Sequence, residues 1–119
     1  MQDLAFQDGC IEQLESFLDQ YDVWIVPVTA TSVFLHLAPS RFLGEFPIYD
    51  MPLKVGNKSL PYWVATTSFT TIFSLTESPV VTLPIGRDEN GMPIGIQVVG
   101  KRFSDLELLK VAEAIDRLK

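Results

Sequence analysis

The chain predicts an α/β fold: a mixed sheet covered by helices, in a single domain spanning residues 1–119. Three observations carry this. Apolar residues recur at spacings of three and four near both ends of the chain, the mark of amphipathic helices. VWIVPV at 23–28 is a short apolar run rich in β-branched residues, which suits a strand buried on both faces, and residues 80–83 read as a further buried strand. A third run, 94–99, alternates with period two and follows a cluster of turn residues.

The first helix is expected over about residues 8–20. Ile11, Leu14, Phe17, Leu18 and Tyr21 form its apolar face, Glu12, Gln13, Glu15 and Asp19 the other side, and Asp8 is its candidate N-cap. The strand at 23–28 should end at Pro27, which has no N–H for a ladder. Residues 29–52 hold Pro39, Pro47 and Pro52 and show no period. SVFLHLA within them fits a short helix or a short strand equally. The rest reads as a surface loop with Phe42, Phe46, Ile48 and Tyr49 tucked against the body, and a loop of that length suggests a role or its own packing.

Gly56-Asn57 between two short alternating pieces predicts a hairpin over 53–60. Pro61 then opens a helix over about 62–72, whose threonines lower its intrinsic propensity, so packing must hold it. The strand at 80–83 ends at Pro84, and Asn90-Gly91 suits the turn that follows. In the next strand Ile94, Ile96 and Val98 form an apolar face, with Gly95, Gln97 and Val99 on the other. The last helix begins with Ser104 and Glu107 in a capping-box pattern and carries Leu108, Val111, Ala112, Ile115 and Leu118 along one face.

Composition narrows the function classes. The net charge of −6 opposes a nucleic-acid partner, because phosphate binding needs clustered Lys and Arg. The basic residues are scattered, and the pair Lys101-Arg102 is expected in a solvated loop. No run approaches the length of a membrane span, and the acidic, mixed N-terminus is not a signal peptide. The single Cys10 forms no internal disulfide and has no basic neighbour in sequence to activate it. A soluble cytoplasmic protein, with no membrane partner, is the expectation.

Catalytic chemistry is sparse. The single histidine, His36, sits between Leu35 and Leu37, and no G-x-S-x-G elbow accompanies it, so it reads as a packed or rim residue. One His and one Cys do not make a zinc site. No metal or other cofactor is expected. Gly56-Asn57-Lys58-Ser59 lacks the upstream glycine of a phosphate loop and reads as a turn. Glu12 with Glu15, and Asp105 with Glu107, lie on solvated helix faces or near a helix N-terminus, where the dipole favours negative charge. A Ser–Lys mechanism needs a neutral lysine. Lys54, Lys58 and Lys101 sit in polar, turn-like sequence that keeps them charged, and Ser74 and Ser78 stand outside any Gly/Ser-rich run.

Several motifs occur together. Tyr21-Asp22-Val23-Trp24-Ile25-Val26-Pro27 is a helix-to-strand transition ending in proline. Residues 56–62 form a hairpin before a helix, and residues 70–79 approximate T-x-P-x-N-x-x-G-x-P. A strand with a Pro-x-Gly end follows at 80–86, and Gly91-Met92-Pro93-Ile94-Gly95-Ile96-Gln97-Val98-Val99-Gly100 follows G-L-P-x-G-x-Q-x-x-G. Together they resemble the C-terminal portion of amidase signature enzymes, which act on amide carbon–nitrogen bonds through a Ser–Ser–Lys triad. The resemblance covers about residues 14–118, and the last motif is its most specific part. It implies that the chain is the C-terminal segment of the larger amidase signature fold. The family is about four times this long, so the triad would lie upstream of the region represented here.

The chain departs from the pattern at three positions. Ser74 stands where the family commonly has Asn, Ile72 where it often has Pro, and Glu77 where it commonly has Gly. A glutamate held in a backbone conformation suited to glycine costs roughly 1 kcal/mol or more.

By the resemblance, Thr67 falls where glutamine-using amidotransferases carry an Asp for the substrate ammonium. A neutral Thr67, with Phe69 and Phe73 as substrate-binding neighbours, implies an apolar or aryl amide in the complete enzyme. The expected partners are the catalytic N-terminal half of an amidase or a second copy of the chain. An assembly module without activity, or a fragment of the A subunit of a glutamyl-tRNA amidotransferase, are the alternatives. This chain alone is expected to be inactive.

Overall fold

The structure, a computed structural model, describes residues 2–35 and 37–118. Its elements in chain order are α1 (Gln2–Leu18), β1 (Trp24–Pro27), β2 (Arg41–Leu43), β3 (Phe46–Ile48), β4 (Leu53–Val55), β5 (Lys58–Leu60), α2 (Tyr62–Thr67), α3 (Thr71–Leu75), β6 (Val80–Arg87), β7 (Pro93–Val99) and α4 (Asp105–Arg117). The α/β class is as the sequence predicts.

The central sheet has the order β1-β7-β6, with both pairings antiparallel. The register sets Trp24 and Val80 opposite Val99, and Val26 and Thr82 opposite Gln97. Cross-strand partners share a face, so these residues look the same way. Leu14 and Leu18 of α1 and Phe73 of α3 cover that face, forming a cluster with Val26 and Val99 against which Phe69 and Val80 pack. Leu108 and Ala112 of α4 are buried as α4 packs on β6 and β7. A Cβ on Gly100 would lie 3.2 Å from Leu108 Cδ1, so the small residue lets this helix approach.

Position in the sheet corrects the expectation for residues 23–28. β1 is an edge strand in an antiparallel pairing, and only Val26 within it is buried. The strand buried on both faces is β7, where Val98 and Val99 are both fully enclosed. Its central place between two strands and two helical layers produces that burial.

Other boundaries shift for local reasons. α1 begins at Gln2, so Asp8 lies inside the helix and is not its N-cap. No proline or turn residue interrupts DLAFQ, and Phe17 and Tyr21 of the expected apolar face are exposed. Residues 41–48 form a hairpin, not a loop tucked against the body, and Phe42 and Phe46 on it are exposed. Gly44, at φ +65°, takes the first position of its two-residue turn, which favours glycine there. Residues 32–35, 37 and 38 form neither helix nor strand, and His36 lies outside the described residues. The hairpin at 53–60 forms as expected, with Gly56 at φ +62°.

The helix expected over 62–72 is two short helices with a turn at 68–70. The Thr66 and Thr67 hydroxyls donate to the carbonyls of Tyr62 and Trp63, and Thr70 and Thr71 both donate to Thr67 O. Such back-bonding competes with the helix ladder and bends or ends helices. β6 continues past Pro84 to Arg87 because a bulge at Ile85 absorbs the missing donor.

The capping box also fails: the Ser104 hydroxyl donates to Lys101 O at 2.6 Å and caps no helical N–H. α4 stops at Arg117, leaving Leu118 exposed. Among the described residues, no helix is long and apolar enough to cross a membrane.

Candidate functional site

The α2–α3 turn, α3 and the loop to β6 run along the covered face of the sheet, and a crevice of about 530 Å³ lies between them and edge strand β6. Thr70, Phe73, Ser74, Glu77, Ser78 and Thr82 line it, and Gln97 forms part of its floor. This is the segment whose sequence approximates T-x-P-x-N-x-x-G-x-P.

Gln97 organises the crevice. Its side chain is 5% exposed, and Nε2 donates to Pro27 O and to Phe69 O, each at 2.9 Å. One amide thereby ties the end of β1 and the α2–α3 turn to the central strand. A buried amide held by two hydrogen bonds fixes geometry, because either carbonyl can move away only by leaving a donor unpaired. The sequence marks Gln97 as a defined strand position but gives no sign of its partners, which lie 70 and 28 residues away in the chain.

Glu77 shapes the opposite wall. Its φ is +55°, the left-handed conformation that the usual glycine implies. Its carboxylate accepts a 2.8 Å hydrogen bond from Arg102 Nη2. The Arg102 backbone N–H donates to Glu15 Oε1 at 3.0 Å, and Lys101 Nζ pairs with Asp19. The basic pair expected in a solvated loop is therefore half-buried, pinning α1 and the α3–β6 loop to the end of β7. The hydrogen bond to Asp19 also raises the Lys101 ammonium above the ordinary lysine pKa, which keeps it charged.

The three sequence-predicted site residues separate. Phe73 is 3% exposed, sits in the core cluster and meets the Trp24 ring edge-on at 5.7 Å, with its flank on the crevice. Phe69 is half-buried beside the same cluster, and its carbonyl holds Gln97. Thr67 is exposed, and its hydroxyl donates to Trp63 O at 2.5 Å, within its own helix. The fold thus brings Phe69 and Phe73 together and leaves Thr67 on the helix surface.

The crevice is rich in hydroxyls. Ser74 is exposed, while Ser78 Oγ lies 2.7 Å from Thr76 Oγ1. Thr76 already donates to Ile72 O, which leaves Ser78 as the donor in that pair. Among the described residues, no histidine or lysine lines the crevice, and its carboxylate, Glu77, is engaged by Arg102. A serine nucleophile needs an adjacent base to take its proton. The crevice walls present hydroxyls and the flank of Phe73 and, among the described residues, carry no activated nucleophile of their own. Among the described residues, no group of three or more His, Cys, Asp or Glu converges as a metal site would require.

Comparison with known proteins agrees with these motifs. The family model Amidase matches residues 2–109. A fatty acid amide hydrolase of Oryza sativa subsp. indica is 35% identical over 80 residues, covering 67% of this chain and 13% of the relative. The A subunit of the glutamyl-tRNA(Gln) amidotransferase of Brevibacillus brevis is 29% identical over 107 residues, 90% of this chain and 18% of that protein. A crystal structure of an amidase superposes with a TM-score of 0.69 at 24% identity, covering 91% of this chain and 22% of its own. The chain thus spans a small part of the length of each relative.

Proposed function

The chain belongs to the amidase family, and on that premise we propose that it is part of a hydrolase acting on amide carbon–nitrogen bonds. In this reading it supplies sheet strands and one wall of the substrate pocket. The nucleophile and its base come from a stretch of polypeptide beyond these residues. The match over residues 2–109 carries the reading. The crevice supports it: hydroxyl-rich, flanked by Phe73, and without a neutral base among its described lining residues.

The substrate class rests on the resemblance at Thr67 and on Phe73. Thr67 lies outside the crevice lining and is neutral where a carboxylate would be needed to balance an ammonium. Phe73 turns a flank to the crevice, with Phe69 packed beside it in the cluster. An alkyl or aryl amide fits this wall better than glutamine. The similarity to the amidotransferase of Brevibacillus brevis favours the glutamine-using branch instead, and Thr67 is the residue that separates the two readings.

The purified chain, offered a panel of primary amides and anilides, is expected to show no turnover. Turnover abolished by Ser74→Ala or Ser78→Ala would overturn the division of labour. Joined to a polypeptide carrying the nucleophile and base, it is expected to turn over aryl or alkyl amides faster than glutamine. Preferred glutamine turnover, unchanged by Thr67→Asp, would refute the pocket reading.

A further inference from the structure

Asn90 and Gly91 lie side by side in the turn between β6 and β7, and both are exposed. The side-chain amide of an asparagine can be attacked by the backbone nitrogen of the next residue. Glycine obstructs that attack least, because it has no Cβ. Here the Gly91 nitrogen would bond to Asn90 Cγ while the Cγ–Nδ2 bond breaks. The Gly91 N–H proton passes through solvent to the departing nitrogen, which leaves as ammonia. Water then opens either carbonyl of the resulting succinimide, giving aspartate or isoaspartate. No oxidant or other reactant is required.

The structure leaves the electrophile loose and holds the nucleophile. Among the described residues, nothing bonds the Asn90 side-chain amide. Gly91, at φ +79°, is gripped at both its polar groups: its N–H donates to Asp88 O at 3.0 Å, and its carbonyl accepts from Arg87 Nη1 at 2.8 Å. The Asp88 carboxylate accepts from the Asn90 and Met92 N–H groups, each at 2.9 Å, and the Asp88 N–H donates to Met92 O at 2.8 Å. For the Gly91 nitrogen to reach Asn90 Cγ, its bond to Asp88 O must break and the peptide between Asn90 and Gly91 must turn. The carboxylate, bonded on either side of that peptide, opposes the turning.

We propose that Asn90 is a site of spontaneous deamidation and that Asp88 sets how slowly it reacts. One net hydrogen bond corresponds to a factor of about five, so the folded chain reacts at least about fivefold more slowly than the unfolded one. The product matters to the turn. A new carboxylate stands beside Asp88 and Glu89 and adds one negative charge to the chain's −6. Isoaspartate also adds a methylene to the backbone, which loosens the turn that sets Arg87 opposite Pro93. The inference concerns this turn and stands or falls separately from the amide-hydrolase reading.

Incubating the purified chain near neutral pH and mapping its peptides by mass spectrometry tests it. The peptide holding Asn90 is expected to convert to isoaspartate and aspartate. Asn57, the chain's other asparagine, is followed by Lys58 and should stay unconverted over the same period. In guanidinium the Asn90 conversion should run at least about fivefold faster. Asp88→Ala should bring the folded rate toward the denatured one and leave the denatured rate unchanged. Hydrogen exchange of the unaltered chain adds a readout that needs no variant: the Gly91 N–H should be protected when the chain is folded. No conversion at Asn90 in the folded chain, or equal conversion at Asn57, overturns the site. Equal folded and denatured rates, an unprotected Gly91 N–H, or a folded Asp88→Ala variant that reacts no faster overturn the role of Asp88. So does an acceleration by Asp88→Ala that persists in guanidinium, because the effect would then be one of sequence and not of the turn.

Discussion

Replacing Gln97 separates what its hydrogen bonds contribute from what its volume contributes. The side chain is buried and donates to two carbonyls at 2.9 Å. Gln97→Leu keeps most of the volume and removes both donors. At about 1 kcal/mol net for each bond, it should cost ~2 kcal/mol. Gln97→Ala loses the same bonds and also a few buried heavy atoms, worth about 0.8 kcal/mol for each methylene equivalent, for a total near 3–4 kcal/mol. Gln97→Glu should be worst at neutral pH, because a carboxylate would face two carbonyl oxygens in a dry site. Part of that loss should return in acid, where the protonated side chain regains one donor. Urea unfolding monitored by tryptophan fluorescence gives the order directly, with the midpoint shifting at constant slope. Gln97→Leu as stable as the unaltered chain would refute the reasoning, since it would mean that the two bonds do not hold the β1 end and the α2–α3 turn.

Two further outcomes are expected. Glu77→Gly removes left-handed strain of about 1–2 kcal/mol and gives up a half-exposed ion pair worth ~0–1 kcal/mol, so it should raise the melting temperature slightly. Glu77→Ala keeps the strain and loses the pair, so it should melt lower, and a Gly variant melting below the Ala variant would sink the strain account. Asp88 accepts hydrogen bonds from the Met92 N–H, the Ser32 hydroxyl and the Asn90 N–H, which hold its carboxyl below the ordinary aspartate value of 3.8. Its contribution to the β6–β7 turn is therefore present above that value and is lost as pH falls through the lower folded pKa. Carbon-detected NMR titration should show this midpoint moving up in Ser32→Ala, and an unmoved midpoint would remove the Ser32 contribution.

Local patterns in the sequence determined much of this protein. Helical spacing from Ile11 to Leu18 and from Leu108 to Ile115 marked two helices, and Gly56-Asn57 placed a hairpin turn. The motif from Gly91 to Gly100 marked β7 and pointed to the family, and the departure at Glu77 foretold a positive φ. These features are legible because each depends on residues a few positions apart. Tertiary structure alone decided which strand is central. Residues 23–28 and 94–99 are both largely apolar, and only the order β1-β7-β6 makes the first an edge and encloses the second. The same holds for the candidate site. Gln97 acquires its role from carbonyls 70 and 28 residues away, and Arg102 from Glu77, 25 residues back. Phe73 was turned into the core by packing against Trp24, while the back-bonded threonines that split its helix left Thr67 on the surface. Burial and long-range pairing are properties of the assembled layers, so no window of sequence contains them.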